Sequence, residues 1–180
     1  MPDAAVPVLT APAPVIDALL AGEQVIDLRI HPGAGGPPEG ATRFWLQADP
    51  DAAAELKPAY RRAQELSLAD EGAAPGQVRV DGWAELVGRA TTRLDDGMKA
   101  ALDGKTILAL DSLAGQEVLV LALRTHRLVE PVTVPAADGL TGLPADPGQG
   151  PPSEPALSQA AFEARRNGVA NALPGGLTAP

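Results

Sequence analysis

Apolar residues stand at consecutive positions through Val118–Leu123, the longest aliphatic run in the chain. Strands with one wet face alternate apolar and polar residues, so this unbroken run predicts a strand that is covered on both faces. Gln24–Ile30 and Ala41–Ala48 do alternate, which predicts two strands with one wetter face each. The Pro/Gly-rich loop His31–Gly40 separates them, and we interpret the pair as a wide hairpin. Shorter strands are predicted at Gln77–Val80, Ile107–Asp111 and, as an edge strand because Pro131 lacks a backbone donor, Leu128–Val134.

Apolar residues at helical spacing predict two main helices. The first, Pro50–Leu68, follows Asp49, whose side chain can cap the free backbone donors, and Pro58 is expected to kink it. The second, Gly82–Leu102, has an apolar stripe typical of an amphipathic helix. This stripe consists of Trp83, Leu86, Val87, Ala90, Leu94, Met98 and Ala101.

Proline and glycine divide the chain. The 19 Pro and 19 Gly are frequent near both ends, where such segments bury too little apolar surface to offset the entropy of ordering them. We therefore expect a flexible N-terminal arm at residues 1–14, a single core domain at 15–134, and a Pro/Gly-rich tail at 135–180 with a short helix at 156–172. The predicted fold is α+β: a mostly antiparallel sheet of about five or six strands with two main helices packed on it, between disordered termini.

Charge and cysteine content exclude several classes of protein. The formal net charge is −9, and an acidic domain repels a phosphate backbone, so nucleic acid is not an expected partner. The absence of Cys excludes disulfides and thiolate chemistry. The first residues lack the basic start and continuous apolar run of a signal peptide, and no apolar stretch reaches the length of a membrane span. We therefore expect a cytoplasmic protein without membrane attachment.

Candidate chemistry rests on two histidines, His31 and His126, which both lie near the ends of predicted strands. A histidine beside a carboxylate can act as a general base, so His126 with Asp111 and Arg124 is the candidate for a catalytic or ligand-binding site. The competing interpretation, which we favour, is that both histidines are exposed loop residues. Their spacing matches no metal-binding motif, and no glycine-rich phosphate loop is present, so neither metal nor cofactor is expected.

Candidate partner-binding residues lie on a strand and in the tail. Trp45 shares a predicted strand face with Arg43 and Gln47. Either both faces of the sheet are covered, which the run Val118–Leu123 favours, or Trp45 is exposed and available to a partner. The tail helix has a narrow apolar stripe, which either docks on its own domain or binds another protein, formed by Phe162, Val169 and Leu173.

The missing catalytic motifs and the long Pro/Gly-rich ends favour a non-enzymatic interaction or assembly protein. Its partner would be another protein or a second copy of the chain, bound through Trp45, Phe162, Val169 and Leu173. The alternative is a small enzyme or ligand-binding domain with a strand-end site around His126 and Asp111.

Overall fold

A computed structural model describes residues 6–31, 37, 39–49, 56–61, 75–135, 140 and 142–180. The fold is α+β, as predicted, and is built on a mostly antiparallel sheet. The strands of the described part are β1 (Val8–Ala11), β2 (Ile26–Ile30), β3 (Arg43–Ala48), β4 (Gln77–Arg93), β5 (Glu117–Pro135) and β6 (Ser153–Pro155). The helices there are α1 (Ala13–Leu20), α2 (Asp96–Leu102) and α3 (Gln159–Ala172), besides short 3-10 turns and a helical turn at residues 58–61.

The long strands β4 and β5 form the centre of the sheet. The strand order is β1-β3-β4-β5-β2, and β6 pairs with β5 beyond the end of β2. β1 runs parallel to β3, and the other pairs are antiparallel. Val118–Leu123 lies in β5 between β4 and β2, and all its side chains except that of Leu119 are buried. The prediction of a strand covered on both faces is confirmed.

A side chain joins the two outer strands of this order, β1 and β2. Arg29 on β2 donates from Nη2 to the backbone carbonyl of Thr10 on β1. Its Nε donates to the Asp27 carboxylate at 2.7 Å, and Asp27 is buried. The sheet is therefore curled until its two ends meet, and an ion pair lies at the seam.

Residues opposite each other in the register share a face, and the two faces of the sheet are filled differently. On the inner face, Phe44 lies opposite Ala84, and both belong to the main core together with residues of α1. On the outer face, Trp45 lies opposite Trp83. These two indoles belong to a smaller core that also contains Val80, Leu128, Val134, Leu140 and Leu143.

The predicted helix Gly82–Leu102 is wrong up to residue 93, because β4 extends that far and α2 begins only at Asp96. Two register shifts interrupt β4, at Val80–Gly82 and at Leu86–Gly88. Each shift moves the side-chain alternation by one residue, so buried positions no longer recur strictly at every second residue. A strand with two bulges thereby acquires the apolar spacing of a helix.

The predicted hairpin of the strands at residues 24–30 and 41–48 is also wrong. Both strands exist, as β2 and β3, but β2 pairs with β5, whereas β3 pairs with β4 and β1. The reason is the dominance of the central pair. Because β4 and β5 bond to each other along most of their length, each retains one edge, and β2 and β3 occupy these two edges.

The segment Ile107–Asp111, predicted as a strand, is an irregular connection that leads into a 3-10 turn at Leu110–Leu113. Side chains accept its backbone donors: Ile107 N donates to Gln24 Oε1, and Leu108 N donates to Thr106 Oγ1. Since these side chains, one local and one remote in sequence, satisfy the two donors, no ladder is formed here beyond a bridge to residue 56 within the described ranges.

Leu128–Val134 continues β5 and is not a separate edge strand. Val80 pairs with Val132, whereas Gly82 pairs with Arg127, so Pro131 lies within the register shift. The missing donor of this proline therefore falls where the β4–β5 ladder is already interrupted.

Both ends of the chain contribute to the fold where the structure describes them, although we predicted disordered termini. Val8–Ala11, part of the predicted arm, forms β1 and buries Leu9 and Ala11 in the main core. α3 covers most of the helix predicted at residues 156–172. The predicted helix Pro50–Leu68 lies mostly outside the described residues. No helix in the described ranges is long and apolar enough to cross a membrane.

Candidate functional site

Two rows of side chains cross the outer face of the sheet, each formed by residues directly opposite one another on β3, β4 and β5. The charged row consists of Arg43, Glu85 and Arg124. The aromatic row, two positions away along each strand, consists of Trp45, Trp83 and His126. Residues two apart in a strand share a face, so both rows lie on the same side. We refer to the charged row together with His126 as the polar strip.

The aromatic row is fixed by stacking and by hydrogen bonds to the segment that covers it. The rings of Trp83 and His126 stack with centroids 3.9 Å apart and planes at 6°. Trp83 Nε1 donates to Ser153 Oγ at 3.1 Å, and Trp45 Nε1 donates to the Pro144 carbonyl at 3.0 Å. Both indoles are therefore buried with their donors paired, and they form a wall beside the charged row.

Arg43 is held from three directions. Its Nη1 lies 3.2 Å from Asp146 Oδ1, its Nη2 lies 3.9 Å from Glu85 Oε1, and its guanidinium carbon lies 5.8 Å from the centroid of the Trp83 ring. Asp146 is fixed in turn, because Gly148 N donates to the same carboxylate oxygen. The nearest carboxylate to Arg43 is thus built into the covering segment.

Arg124 is placed differently. Its guanidinium carbon lies 6.0 Å from the centroid of the Phe162 ring on α3, and Glu85, its cross-strand neighbour, forms an ion pair with Arg43. Among the described residues, neither Arg124 Nε nor His126 Nε2 has a hydrogen-bond partner, and both atoms are buried. An unpaired buried polar atom costs about 1–3 kcal/mol, and more when its group is charged. As far as the described ranges show, the polar strip therefore holds two unsatisfied nitrogens on one strand.

Burial, together with the smaller effects of the charges of Arg124 and Arg43, lowers the pKa of His126 to about 4. The imidazole is therefore neutral at pH 7, with a hydrogen on one ring nitrogen and a lone pair on the other. A neutral ring stacks on Trp83 without bringing a third positive charge between two arginines.

The polar strip lies between two covered parts of the outer face. On one side, the aromatic row is covered by the segment that contains Ser153. On the other side, Leu177 packs on Gly88, where a side-chain carbon would lie 3.1 Å from Leu177 Cβ. Between them, the side chains of Arg43 and Glu85 are 41% and 33% exposed. The strip is open to solvent at β3 and β4, and Phe162 covers its end at β5.

The structure separates two of the residues that the sequence suggested as a site. Asp111 lies in the turn Leu110–Leu113, where its side chain is 95% exposed and a carboxylate oxygen lies 3.1 Å from Lys99 Nζ. His126 lies well inside β5, about 30 Å from the start of the strand at about 3.3 Å per residue. Arg124 is brought beside His126, as its effect on the pKa of His126 indicates.

His31, the other histidine, is exposed and lies near Glu117, with 3.9 Å between Nε2 and Oε1. Within the ranges that the structure describes, no group of three or more His, Asp or Glu side chains is arranged to hold a metal ion.

The four side chains predicted to bind a partner are buried in this chain. Trp45 lies in the smaller core, and the other three lie in the main core: Phe162, Val169 and Leu173. The most exposed of them, Leu173, is 5% accessible. α3 docks on its own domain in this conformation, and the partner-binding role of these residues stays a prediction.

Sequence reasoning missed Glu85 and Trp83 as site residues because it placed both on a helix. A local signal was present. β3 has Arg43 two positions before Trp45, and β4 has Trp83 two positions before Glu85. A charged and an aromatic residue thus occur in opposite order on the two strands. Antiparallel neighbours show this reversal when their side chains form rows across a sheet.

A family model described as "Domain of unknown function (DUF1802)" matches residues 8–168. No match is found among curated proteins. Similar solved structures include that of ASCH from Zymomonas mobilis, with 15% identity over 87% of this chain and 90% of that chain and a TM-score of 0.43. A serine-to-alanine mutant of the same protein gives 15% identity over 91% and 96% of the two chains and a TM-score of 0.45.

Proposed function

The chain belongs to the DUF1802 family, and we propose that it is a ligand-binding domain that holds a small anionic ligand on the polar strip. Arg124 binds the anionic group, and the neutral ring of His126 supplies a further hydrogen bond. The observation that carries the proposal is that two buried nitrogens, Arg124 Nε and His126 Nε2, have no hydrogen-bond partner in the part of the chain that the structure describes. Buried polar atoms are paired in the large majority of cases, so two unpaired atoms in one place favour a bound group.

The different surroundings of Arg43 and Arg124 support an anion as the ligand. A carboxylate oxygen of Asp146 lies 3.2 Å from Nη1 of Arg43, whereas the guanidinium of Arg124 faces the ring of Phe162. A guanidinium presents a planar fork of donors that matches carboxylate and phosphate oxygens. Its hydrogen bonds to an anion are also stronger where water is partly excluded, as it is beneath Phe162.

The first experiment titrates the full-length protein with inorganic phosphate, sulfate, acetate and a panel of phosphorylated and carboxylated metabolites. The readouts are calorimetry and the fluorescence of the two tryptophans, one of which stacks on His126. Arg124→Met removes the charge and keeps the length of the side chain. Since a charge-assisted hydrogen bond contributes about 1.5–3 kcal/mol, we expect roughly 10–100-fold weaker binding in this variant.

The matched control is Arg127→Met, which changes an exposed arginine on the same strand. It is expected to leave the affinity unchanged. The proposal is overturned if no anion of the panel binds, or if Arg127→Met weakens binding as much as Arg124→Met does.

The assembly hypothesis drawn from the sequence is a separate proposal with its own test. Because Trp45 and the apolar stripe of α3 are buried in the chain itself, a partner would have to use another surface or displace α3. Light scattering over a range of concentrations tests self-association. A cytoplasmic location stays part of this wider proposal.

A further inference from the structure

The charges of the polar strip alternate across the sheet. Arg43 on β3 is positive, Glu85 on β4 is negative, and Arg124 on β5 is positive. Neighbouring strands lie about 4.8 Å apart, and residues in register hold their side chains side by side on one face. A ligand on Arg124 therefore also lies beside the carboxylate of Glu85.

Glu85 keeps capacity to accept hydrogen bonds. Its closest contact with Arg43 is 3.9 Å, which is longer than a charge-assisted hydrogen bond of about 2.8 Å. The carboxylate of Asp146, at 3.2 Å, lies nearer to Arg43 than that of Glu85 does. A carboxylate has about four acceptor positions, and the side chain of Glu85 is 33% exposed, so a ligand can reach it.

The total charge of the site also bears on the ligand. Two arginines and two carboxylates contribute, so their formal charges cancel: Arg43, Arg124, Glu85 and Asp146. A plain anion gains the attraction of Arg124 and meets the repulsion of Glu85. A ligand with a positive group beside its anionic group is attracted at both places, because its anionic group faces Arg124 and its positive group faces Glu85.

Building on the proposed anion site, we propose that the ligand is dipolar. It carries an ammonium group within about 5 Å of a phosphate or carboxylate, which is the spacing of the two strands. The anionic group binds Arg124, and the ammonium group donates to Glu85. Glu85 is then the residue that selects such ligands over simple anions.

Matched pairs of probes test this selection by calorimetry on the full chain. Phosphoethanolamine is compared with ethyl phosphate, and β-alanine with propionate, so each pair differs by the amine, and the pairs distinguish phosphate from carboxylate. We expect the amine-bearing member of at least one pair to bind roughly tenfold or more tightly, as one additional charge-assisted contact predicts. Glu85→Gln should remove this preference without weakening the binding of the amine-free probes.

Asp81→Asn, which neutralises a carboxylate paired with Arg79 on the same strand, is the matched control and should keep the preference. Equal or tighter binding of the amine-free probes to the unchanged protein overturns the inference, and this comparison requires no variant to fold. If those probes bind and Arg124→Met abolishes their binding, the proposed function stands and only the dipolar ligand is refuted. If no probe binds, the proposed function fails as well.

Discussion

The imidazole of His126 lies stacked on the indole of Trp83, with 3.9 Å between ring centroids, and both side chains come from neighbouring central strands. This stack joins the polar strip to the smaller core, because the same indole donates to Ser153 in the covering segment. A histidine in this position is partly removed from water and lies near two arginines. Its protonation is therefore coupled to the stability of the fold.

The pH dependence of stability should carry the signature of His126. Its pKa is lowered from 6.5 to about 4, so the folded state resists a proton that the unfolded chain accepts. The resulting stabilisation is fully present above pH 6.5 and is lost as the pH falls toward 4. A shift of this size corresponds to about 3 kcal/mol, which partial solvent exposure reduces to about 1–2 kcal/mol.

Replacement of His126 by Phe keeps a ring against Trp83 and removes the titrating group. The free energy of unfolding, measured with denaturant at several pH values between 7 and 4, should then fall less steeply than in the unchanged protein. Parallel curves for the two proteins would show that His126 does not titrate in this way.

Gly82 marks a place where the central strands approach too closely for a side chain. A Cβ there would overlap with the backbone oxygen of His126 and with a methyl group of Leu20. We expect Gly82→Ala to destabilise the protein by about 2–4 kcal/mol, because neither the strand nor the core can move freely. Gly104→Ala is the control, since a Cβ at that position meets open space, and it should change stability by less than about 0.5 kcal/mol. Thermal and denaturant unfolding measure both, and equal effects would refute the steric explanation.

How far the sequence predicts this fold depends on whether local pattern or strand pairing decides each element. Val118–Leu123 was predictable because a run of large apolar residues needs cover on both faces in any pairing. β4 was not, because its two bulges arise from the pairing with β5, and they convert an alternating pattern into one of helical spacing.

The candidate site depends on the same register. Arg124 and His126 were singled out from the sequence as residues near a predicted strand end, whereas the structure places both inside β5. Their relation to Glu85 and Trp83 follows only once the bulge at Leu86–Gly88 has set which residues face each other. Asp111 was paired with His126 on the assumption of a strand at Ile107–Asp111, which side-chain hydrogen bonds replace with a turn.

The C-terminal segment should be required for a stable fold. Phe162, Val169 and Leu173 lie in the main core, and Leu177 packs on Gly88 of β4. A chain that ends at residue 136 loses all of these contacts, so we expect it to unfold without a cooperative transition or at a much lower temperature. Phe162→Ala in the full chain should cost about 3–5 kcal/mol, whereas Glu163→Ala, at an exposed position of α3, should change little. A shortened chain as stable as the whole would contradict this packing.

The seam between β1 and β2 gives a prediction in which charge and pH act together. Burial raises the pKa of Asp27, and the charge and hydrogen bond of Arg29 oppose that rise. A carboxyl group whose folded pKa is raised favours the fold below its unfolded pKa of 3.8, and this contribution is lost as the pH rises through the folded pKa. Because Arg29 Nε donates to the Asp27 carboxylate at 2.7 Å, we expect Asp27 at pH 7 to be a buried charge that Arg29 compensates. Arg29→Met removes the compensation and should destabilise the protein by about 3 kcal/mol at pH 7.

The loss caused by Arg29→Met should shrink as the pH is lowered, because Asp27 then takes up a proton and no longer needs a counter-charge. Adding Asp27→Asn to Arg29→Met should recover much of the stability at pH 7, since no unpaired charge remains buried. Arg93→Met, a change at an exposed arginine of β4, serves as the control and should stay within about 0.5 kcal/mol of the unchanged protein. Denaturant unfolding of the four proteins at pH 7 and at pH 4.5 measures these differences. A deficit in Arg29→Met that is the same at both pH values would show that Arg29 acts through packing and its bond to Thr10 instead of through the charge of Asp27.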